Sequence, residues 1–375
     1  MTLLEPVQAH PLEQYEGIWD SLLSKSLDNN PFVTYEWLTA WSKYFGGNND
    51  LKVFTKEDDT GCSIVAPICY SNYKVFGSVR RKASFIGAPD SDYHIFLIKN
   101  LQAASKAIND LLESVIEDSG ADCLTLTDVP EDSATSLLLQ TIKAGNLAVS
   151  SNVINHCPHI TLPNDYESFL RNLGSNMRRN LKVWERQALK DYRVKFISYS
   201  EIGSVKEAMK IFFKLHQKRQ VSKGDCGVFA DQINERFHMD IADAFDKKGW
   251  LALFFLTFND EPVACVYGYE YRQKFYAYLC GFDPDYALFR PGYLVFKKTI
   301  EQSIRKNFSQ FDFLRGDEEY KSRWKAVVRN NLKYSIARHG LASGFYKWNM
   351  ENKPFSHIRS LPRVAITKLT HFEQS

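Results

Sequence analysis

The chain has 375 residues, 44% of them apolar and 24% charged, with a formal net charge of +3. That balance excludes an intrinsically disordered chain and gives no electrostatic reason to expect nucleic acid or an anionic membrane as an obligatory partner. Aromatic residues reach 14%, enough for sizeable cores, and the length suits about two domains.

Cys62, Cys69, Cys123, Cys157, Cys226, Cys265 and Cys280 form no C-x-x-C pair. They read as reduced, buried thiols of a cytoplasmic protein. The start, MTLLEPVQAHPLEQYEG, has neither the basic head nor the apolar centre of a signal peptide. No apolar run approaches the ~18 residues that a membrane span needs.

In the first half, Leu12 to Leu27 is helical by pattern, with Tyr15, Ile18, Trp19, Leu22 and Leu23 on one stripe. Thr34 caps a second helix, Tyr35 to Phe45, which turns Trp37, Leu38 and Trp41 inward. Leu51 to Thr55 and Ser63 to Tyr70 pair as strands across the turn Lys56 to Gly61. Phe85-Ile86-Gly87 and Tyr93 to Ile98 flank a polar Pro-Asp-Ser-Asp loop, Pro89 to Asp92. A helix over Leu101 to Ser119, a strand over Cys123 to Thr127, a helix over Ser133 to Ala144 and a strand over Ala148 to Ile154 follow. His156-Cys157-Pro158-His159 reads as a strand end, because strand alternation and the central proline make a metal site awkward.

The second half opens with a basic helix, Asp165 to Lys190. Met177, Leu181, Trp184 and Ala188 make its apolar stripe, with Arg178, Lys182 and Arg186 beside it and Arg179 adjacent. Such a face either holds an anion or is simply solvated. Helices Ile202 to Gln220 and Asp231 to Lys247 precede strands Trp250 to Phe258, Pro262 to Tyr271 and Lys274 to Gly281. The chain is then organised by Gly281 to Trp324. Arg290-Pro291-Gly292 hands a strand over to a helix marked by Tyr293, Phe296, Ile300 and Ile304. A glycine there lets a ligand approach the backbone, and the unpaired N–H groups of the first turn favour a phosphate. Strand Gln310 to Leu314, an acidic turn and a helix from Tyr320 complete it. The order of helices and strands in the first half returns in the second.

FDFLRGDEEYKSRW, preceded by the RPG-led helix, resembles the signature of the CelD-type, cellulose-biosynthesis-associated branch of the GNAT acyltransferases, relatives of the FemAB aminoacyl transferases. The resemblance implies an α/β (α+β) protein of two tandem GNAT-like domains, each a mixed, mainly antiparallel sheet flanked by helices. Residues 1–160 would be a degenerate copy and 161–375 the catalytic one, with 165–190 as the basic bridging helix.

The family's pyrophosphate motif, Arg/Gln-x-x-Gly-x-Gly/Ala, stands here as Arg290-Pro291-Gly292-Tyr293-Leu294, without the second glycine. A backbone N–H within Tyr278-Leu279-Cys280-Gly281 would polarise the thioester carbonyl. Tyr320 would protonate the departing thiolate. His216 leads as base, with Asp317 and Glu318 second; the histidine could equally be structural and the acids a helix cap. Asp92, Tyr93, Arg178, Arg179, Arg219 and Lys321 would bind the acceptor. The implied activity moves an acyl group from acyl-CoA, a co-substrate rather than a bound cofactor, to an amino sugar, an amino acid or a long-chain amine, small or lipid-linked. No metal and no nucleic acid are expected. The alternatives are a FemAB-like transferase using charged tRNA and a non-catalytic subunit of an envelope-polysaccharide biosynthesis complex.

Overall fold

The computed structural model describes residues 6–58, 61–75, 78–118, 120–142 and 146–338. The chain forms two compact units, one of residues up to Asn155 together with those from Asn330, the other His156–Arg329. Both boundaries fall inside strands.

The first unit runs β1 (Gln8–Pro11), α1 (Trp19–Lys25), α2 (Tyr35–Phe45), β2 (Asp50–Asp58), β3 (Gly61–Val75), β4 (Ser78–Phe85), β5 (Leu97–Ile98), α3 (Leu101–Asp118), β6 (Cys123–Pro130) and α4 (Ala134–Gln140). It continues into the start of β7 (Leu147–Thr161). The helix expected over 12–27 is broken into a short 3₁₀ turn, Leu12–Tyr15, and α1. Gly17 lies at the break, where a glycine weakens a helix. Thr34 caps α2 as expected, its Oγ1 accepting from the Trp37 N–H at 3.4 Å. The end of the helix expected over 133–144 lies outside the described residues.

Strands here follow the order β1-β2-β3-β4-β6, and the chain from Asn330 returns as part of β13 (Val327–Arg338) on the far side of β6. That return places Asn331 opposite Pro130 and Tyr334 opposite Leu126, and it is why the division differs from 1–160 and 161–375. Ladders are antiparallel except β4 with β6. Ala104, Ala107, Ile108, Leu111, Leu112, Val115 and Ile116 of α3 are buried. This three-and-four spacing gives one apolar face to set on the sheet.

The second unit takes the end of β7, then α5 (Tyr166–Asn172), α6 (Ser175–Asp191), β8 (Val194–Ser198), α7 (Val205–Val221), α8 (Gln232–Lys247), β9 (Leu251–Phe258), β10 (Glu261–Tyr271), β11 (Lys274–Phe282), α9 (Pro291–Arg305), β12 (Gln310–Asp312) and α10 (Glu319–Ser322). Its strand order is β8-β9-β10-β11-β12-β7. Only β11 with β12 is parallel; the other ladders are antiparallel. All of β9 is buried, because helices cover both faces and the strand can be apolar throughout. Ala252, Phe254, Leu256 and Phe258 share a core with α6 and α9. On the opposite face Tyr267 and Tyr269 meet aromatic rings of α7 and α8, such as Phe212 and Phe245. Each unit is thus a mixed, mainly antiparallel sheet flanked by helices, with one parallel pair.

His156 to His159 lie within β7, which runs on to Thr161; His159 is opposite Asp312. Among the described residues no cluster of His, Cys, Asp and Glu is arranged to hold a metal. Cys69, Cys123, Cys157 and Cys265 are free and buried; Cys226 is free but exposed and Cys280 half-buried, against the expectation of burial throughout. No helix of the described residues is long and apolar enough to cross a membrane.

Candidate active site

In the second unit, β11 and β12 pair only over Lys274–Tyr276 and Gln310–Asp312. The chain then turns away, and the Phe313 N–H goes to the Pro158 carbonyl at 2.9 Å. Beyond this point Ala277–Phe282 pairs with β10 alone. The β10 ladder also slips here. Tyr269 faces Tyr276 and Tyr267 faces Leu279, so two steps on β10 span three on β11. The extra residue makes a bulge within Ala277–Tyr278. A bulge takes backbone groups out of the ladder and re-aims the side chains after it.

Gly281 and Cys280 illustrate the re-aiming. A Cβ on Gly281 would stand 2.5 Å from the His216 backbone nitrogen, so this residue is where α7 lies on the strand. Cys280 and Phe282 pack with the α9-side core instead. Arg219 of α7 nevertheless reaches them: its Nη1 lies 2.6 Å from Cys280 Sγ and 3.3 Å from the Cys280 carbonyl. Its guanidinium stands 5.5 Å from the centre of the Phe282 ring. The Arg219 side chain therefore passes the open edge of β11, and its Nε is buried with no hydrogen-bond partner.

α10 brings Tyr320 close enough to the same sulfur for Cys280 to act on its hydroxyl. Burial first, then Cys280 and Glu318, push that hydroxyl well above the ordinary tyrosine value. At Glu318, whose side chain is 55% exposed, partial desolvation raises the carboxyl, but Lys321 pulls it back harder, and the group ends below the ordinary carboxylate range. The Glu318–Lys321 ion pair measures 2.9 Å. Cys280 above all raises the Arg219 guanidinium. Enclosure, then Arg219, lowers the Lys223 ammonium.

The tip of α9 stands next to this cluster in sequence and in contact. Arg290 adopts the left-handed conformation (φ 53°, ψ 47°), and no side chain caps the helix. Pro291 has no N–H to satisfy. The N–H groups of Tyr293 and Leu294 turn back to the Arg290 carbonyl at 2.9 and 3.3 Å. A Cβ on Gly292 would meet only the Phe282 ring, at 3.5 Å; the protein's own packing does not demand glycine there. Tyr293 is flanked by Trp184 at 5.0 Å and Trp324 at 6.2 Å. Trp324 is 0% exposed, and its indole N–H has no partner.

Several expected residues take other jobs. His216 is 1% exposed, packed between Phe212 and Phe229 with Gln220 at 3.3 Å. Its apolar surroundings make it a packing residue, not a base open to solvent. Gly281 is required for the close approach of α7, and Leu279 is held opposite Tyr267 in the β10 ladder. Lys321, also buried, donates to the carbonyls of Leu314, Arg315 and Gly316 at 3.3, 2.8 and 3.2 Å. It ties down a turn in which Leu314 and Gly316 have positive φ, so its protons are committed.

Arg178 likewise bonds the carbonyls of Arg171 and Leu173 at the end of α5, while Arg179 and Asp317 are exposed. Asp92 and Tyr93 are buried inside the first unit, Asp92 giving its carbonyl to Asn331 and Tyr93 its ring edge to Phe32. The side chain of Leu294 belongs to the α9 core. A groove of about 380 Å³ between α6 and the far half of α9, lined by Glu185, Phe196, Lys298 and Arg305 among others, contains none of the cluster.

Of the expected residues, Arg219, Cys280, Glu318 and Tyr320 are brought together, and Arg290, Gly292 and Tyr293 form the helix tip. Sequence reasoning missed the bulge and the unpartnered indole of Trp324. A register slip leaves no local signature, whereas the unusual burial of a tryptophan after a charged turn could have drawn notice.

The geometry agrees with comparisons to known proteins. An acetyltransferase (GNAT) domain family matches residues 175–322, from α6 through α10. The crystal structure of FemX is similar over 88% of this chain and 97% of its own, with TM-score 0.61 and 13% identity. A conserved protein of unknown function from Bacteroides thetaiotaomicron is similar over 90% of this chain and 100% of its own, with TM-score 0.56 and 12% identity. No curated protein matches the chain. The protein has a fold of two tandem GNAT-like domains, similar to that of FemX, and residues 175–322 of its second unit match the acetyltransferase (GNAT) domain family.

Proposed function

We propose that the protein is an acyltransferase that moves an acyl group from a coenzyme A thioester to an amine. The observation that carries this reading is the uncapped tip of α9 beside the unpaired, bulged edge of β11, with a tyrosine of raised pKa at its end. Helix N-termini favour phosphate, and since Pro291 has no N–H and Tyr293 and Leu294 donate to the Arg290 carbonyl, the uncapped tip would offer a diphosphate the Gly292 N–H and the helix dipole. The amides of a pantetheine arm would add to the free edge of β11 as a strand adds to a sheet. A thioester lying there ends at Cys280, Arg219 and Tyr320.

The chemistry follows from the charges. Tyr320 is protonated at neutral pH and can return a proton to the departing thiolate. Glu318 is ionised, attracts an ammonium acceptor and can take a proton from it. Arg219 supplies positive charge where the carbonyl oxygen becomes an anion. His216 drops out of the base role on account of its burial. The acceptor class, an amino sugar, an amino acid or a long-chain amine, and a place in envelope-polysaccharide synthesis follow only from the CelD-type resemblance.

The test is thiol release from acetyl-CoA and from long-chain acyl-CoAs in the presence of a panel of amines. Amine-dependent release, lost in Tyr320→Phe while the binding isotherm for CoA persists, is the expected result. Absence of both binding and release with every acyl-CoA would remove the reading, and transfer from charged tRNA would replace it.

A further inference from the structure

We propose that the outer face of α6, together with the turn that leads into α9, docks reversibly on an anionic lipid surface. The near-neutral total charge conceals a local segregation. Arg179, Lys182, Arg186 and Lys190 stand three, four and four residues apart on α6. At ~100° per residue they share an arc of about 80° and a row of about 16 Å. That arc lies opposite the buried stripe of Met177, Leu181 and Ala188, so it looks away from the sheet. All four side chains are exposed, and among the described residues none of them has an ion pair or a hydrogen bond. Acids of the neighbouring elements are taken elsewhere: Glu185 by Lys297 and Lys298, Glu301 by Lys298 and Arg305, Asp260 by Arg193 and Lys195. Asp191 lies ~100° round from Lys190 and off the arc, while the exposed Glu167 and Asp285 flank this surface without pairing with the row.

Cations alone would make an ordinary solvated face. The second observation is apolar. Leu288, in the 3₁₀ turn Pro284–Phe289, is 79% exposed, the most exposed large apolar side chain among the described residues. Its neighbours Tyr286 and Phe289 pack on Tyr192 at the end of α6 and on Phe258 of β9. The turn therefore lies in the same layer as α6, on the same face of the sheet, and Leu288 is turned away from that packing. Leu189, 57% exposed, borders the cationic row. A row of cations with apolar side chains beside it matches a bilayer interface, where headgroup phosphates meet the charges and the acyl boundary takes the leucines. A nucleic acid would neutralise the row and leave both leucines in water. Two leucines flanking a charged row also lack the apolar core of a protein interface. The inference stands apart from the transferase reading. Where both hold, the tip of α9, which opens at Arg290 two residues on from Leu288, meets its amine at a membrane.

Co-sedimentation with vesicles tests this, using phosphatidylcholine alone and phosphatidylcholine mixed with phosphatidylglycerol. The expected result is binding to the anionic vesicles only, released by high salt. The triple variant Lys182→Gln, Arg186→Gln, Lys190→Gln should weaken partition about a hundredfold, at about fivefold per cation. Leu288→Ser should weaken it about tenfold or more. A control triple, Lys206→Gln, Lys210→Gln, Lys214→Gln, removes the same charge from exposed positions of α7 on the other face of the sheet and should leave binding within about twofold. Circular dichroism and melting temperature establish that each variant is folded. No binding to anionic vesicles, equal binding to neutral ones, or equal losses in the two triple variants overturns the proposal. So does undiminished binding by Leu288→Ser, or capture of RNA in place of vesicles. Binding of acyl-CoA is measured separately on the same preparation, so failure here leaves the transferase reading standing.

Discussion

The two units repeat one junction and finish it differently. In the first, β4 and β6 run parallel over Lys82–Ser84 and Cys123–Thr125 and then part, as β11 and β12 do in the second. But the first gap is filled by the chain itself. β5 takes over the edge of β3, opposite Ile64 and Val65, and the His94 N–H pairs with the Asp128 carbonyl at 2.9 Å. Ser91, Asp92 and His94 are at most 1% exposed. Trp37 and Trp41 donate their indole N–H groups to Ser91 and Asp90. The following helix, α3, is capped, the Ala103 N–H bonding Asn100 Oδ1 at 3.0 Å. In the second unit no side chain caps α9, and the β11 edge past Tyr276 carries a bulge. A shared topology therefore does not make a shared site. The proposed site belongs to the copy whose strand edge and helix tip, among the described residues, carry no added strand and no side-chain cap.

That contrast can be broken most severely at Tyr320. Tyr320→Phe should lower kcat by about 10²–10⁴-fold while CoA affinity holds, as steady-state kinetics and calorimetry would register. Retained turnover would mean that the open gap is not a reaction centre.

Gly281→Ala should come next. Its Cβ would collide with α7 backbone at 2.5–2.8 Å, and such overpacking costs ~1–3 kcal/mol or more. Denaturant unfolding should record that loss together with reduced turnover, because Arg219 moves with α7. In the closed unit, Asn331→Ala removes bonds to the Asp92 carbonyl and Asp128. It should cost ~1–3 kcal/mol of stability and leave kcat of the folded protein alone. A selective loss of turnover there would restore Asp92 and Tyr93 to the acceptor site.

The smallest effect is on the pH profile. Activity requires Glu318 ionised and Tyr320 protonated. Glu318 is held below its ordinary range and Tyr320 above its own. The acid limb of kcat should therefore fall below pH ~4.3 and the alkaline limb above pH ~10, wherever the protein remains folded. Between them lies a plateau. Glu318→Gln should remove the acid limb alone; a histidine-like limb near neutrality would return the base role to His216.

Much of the second unit is legible locally. The helix from Pro291, the strand at Gln310 and the nearness of Tyr320 and Glu318 are written in contiguous residues with helical or alternating spacing. Even the aromatic setting of His216 follows from Phe212, Phe213 and Leu215 around it. What the sequence hides is set by distant contacts. β4, with the polar pattern SVRRKASF, is a strand because β3 and β6 flank it. The part of β13 from Asn330 belongs to the first unit because β6 accepts it. Arg219 meets Cys280 only through the packing of α7 on Gly281. Lys321 and Arg178 look like ligand-binding cations until the carbonyls they serve are known.

The central claim is that an unoccupied helix tip and strand edge in the second unit receive a coenzyme A thioester. Thermal unfolding of wild type and Gly292→Val, each with and without acetyl-CoA or a long-chain acyl-CoA, tests it most directly. The two proteins should melt alike without ligand, since a larger side chain at Gly292 meets only the edge of a phenylalanine ring. At a hundredfold excess over its dissociation constant, the preferred acyl-CoA should stabilise wild type by ~2.7 kcal/mol and the variant by clearly less. Equal stabilisation of both proteins, or none of either, would contradict the account.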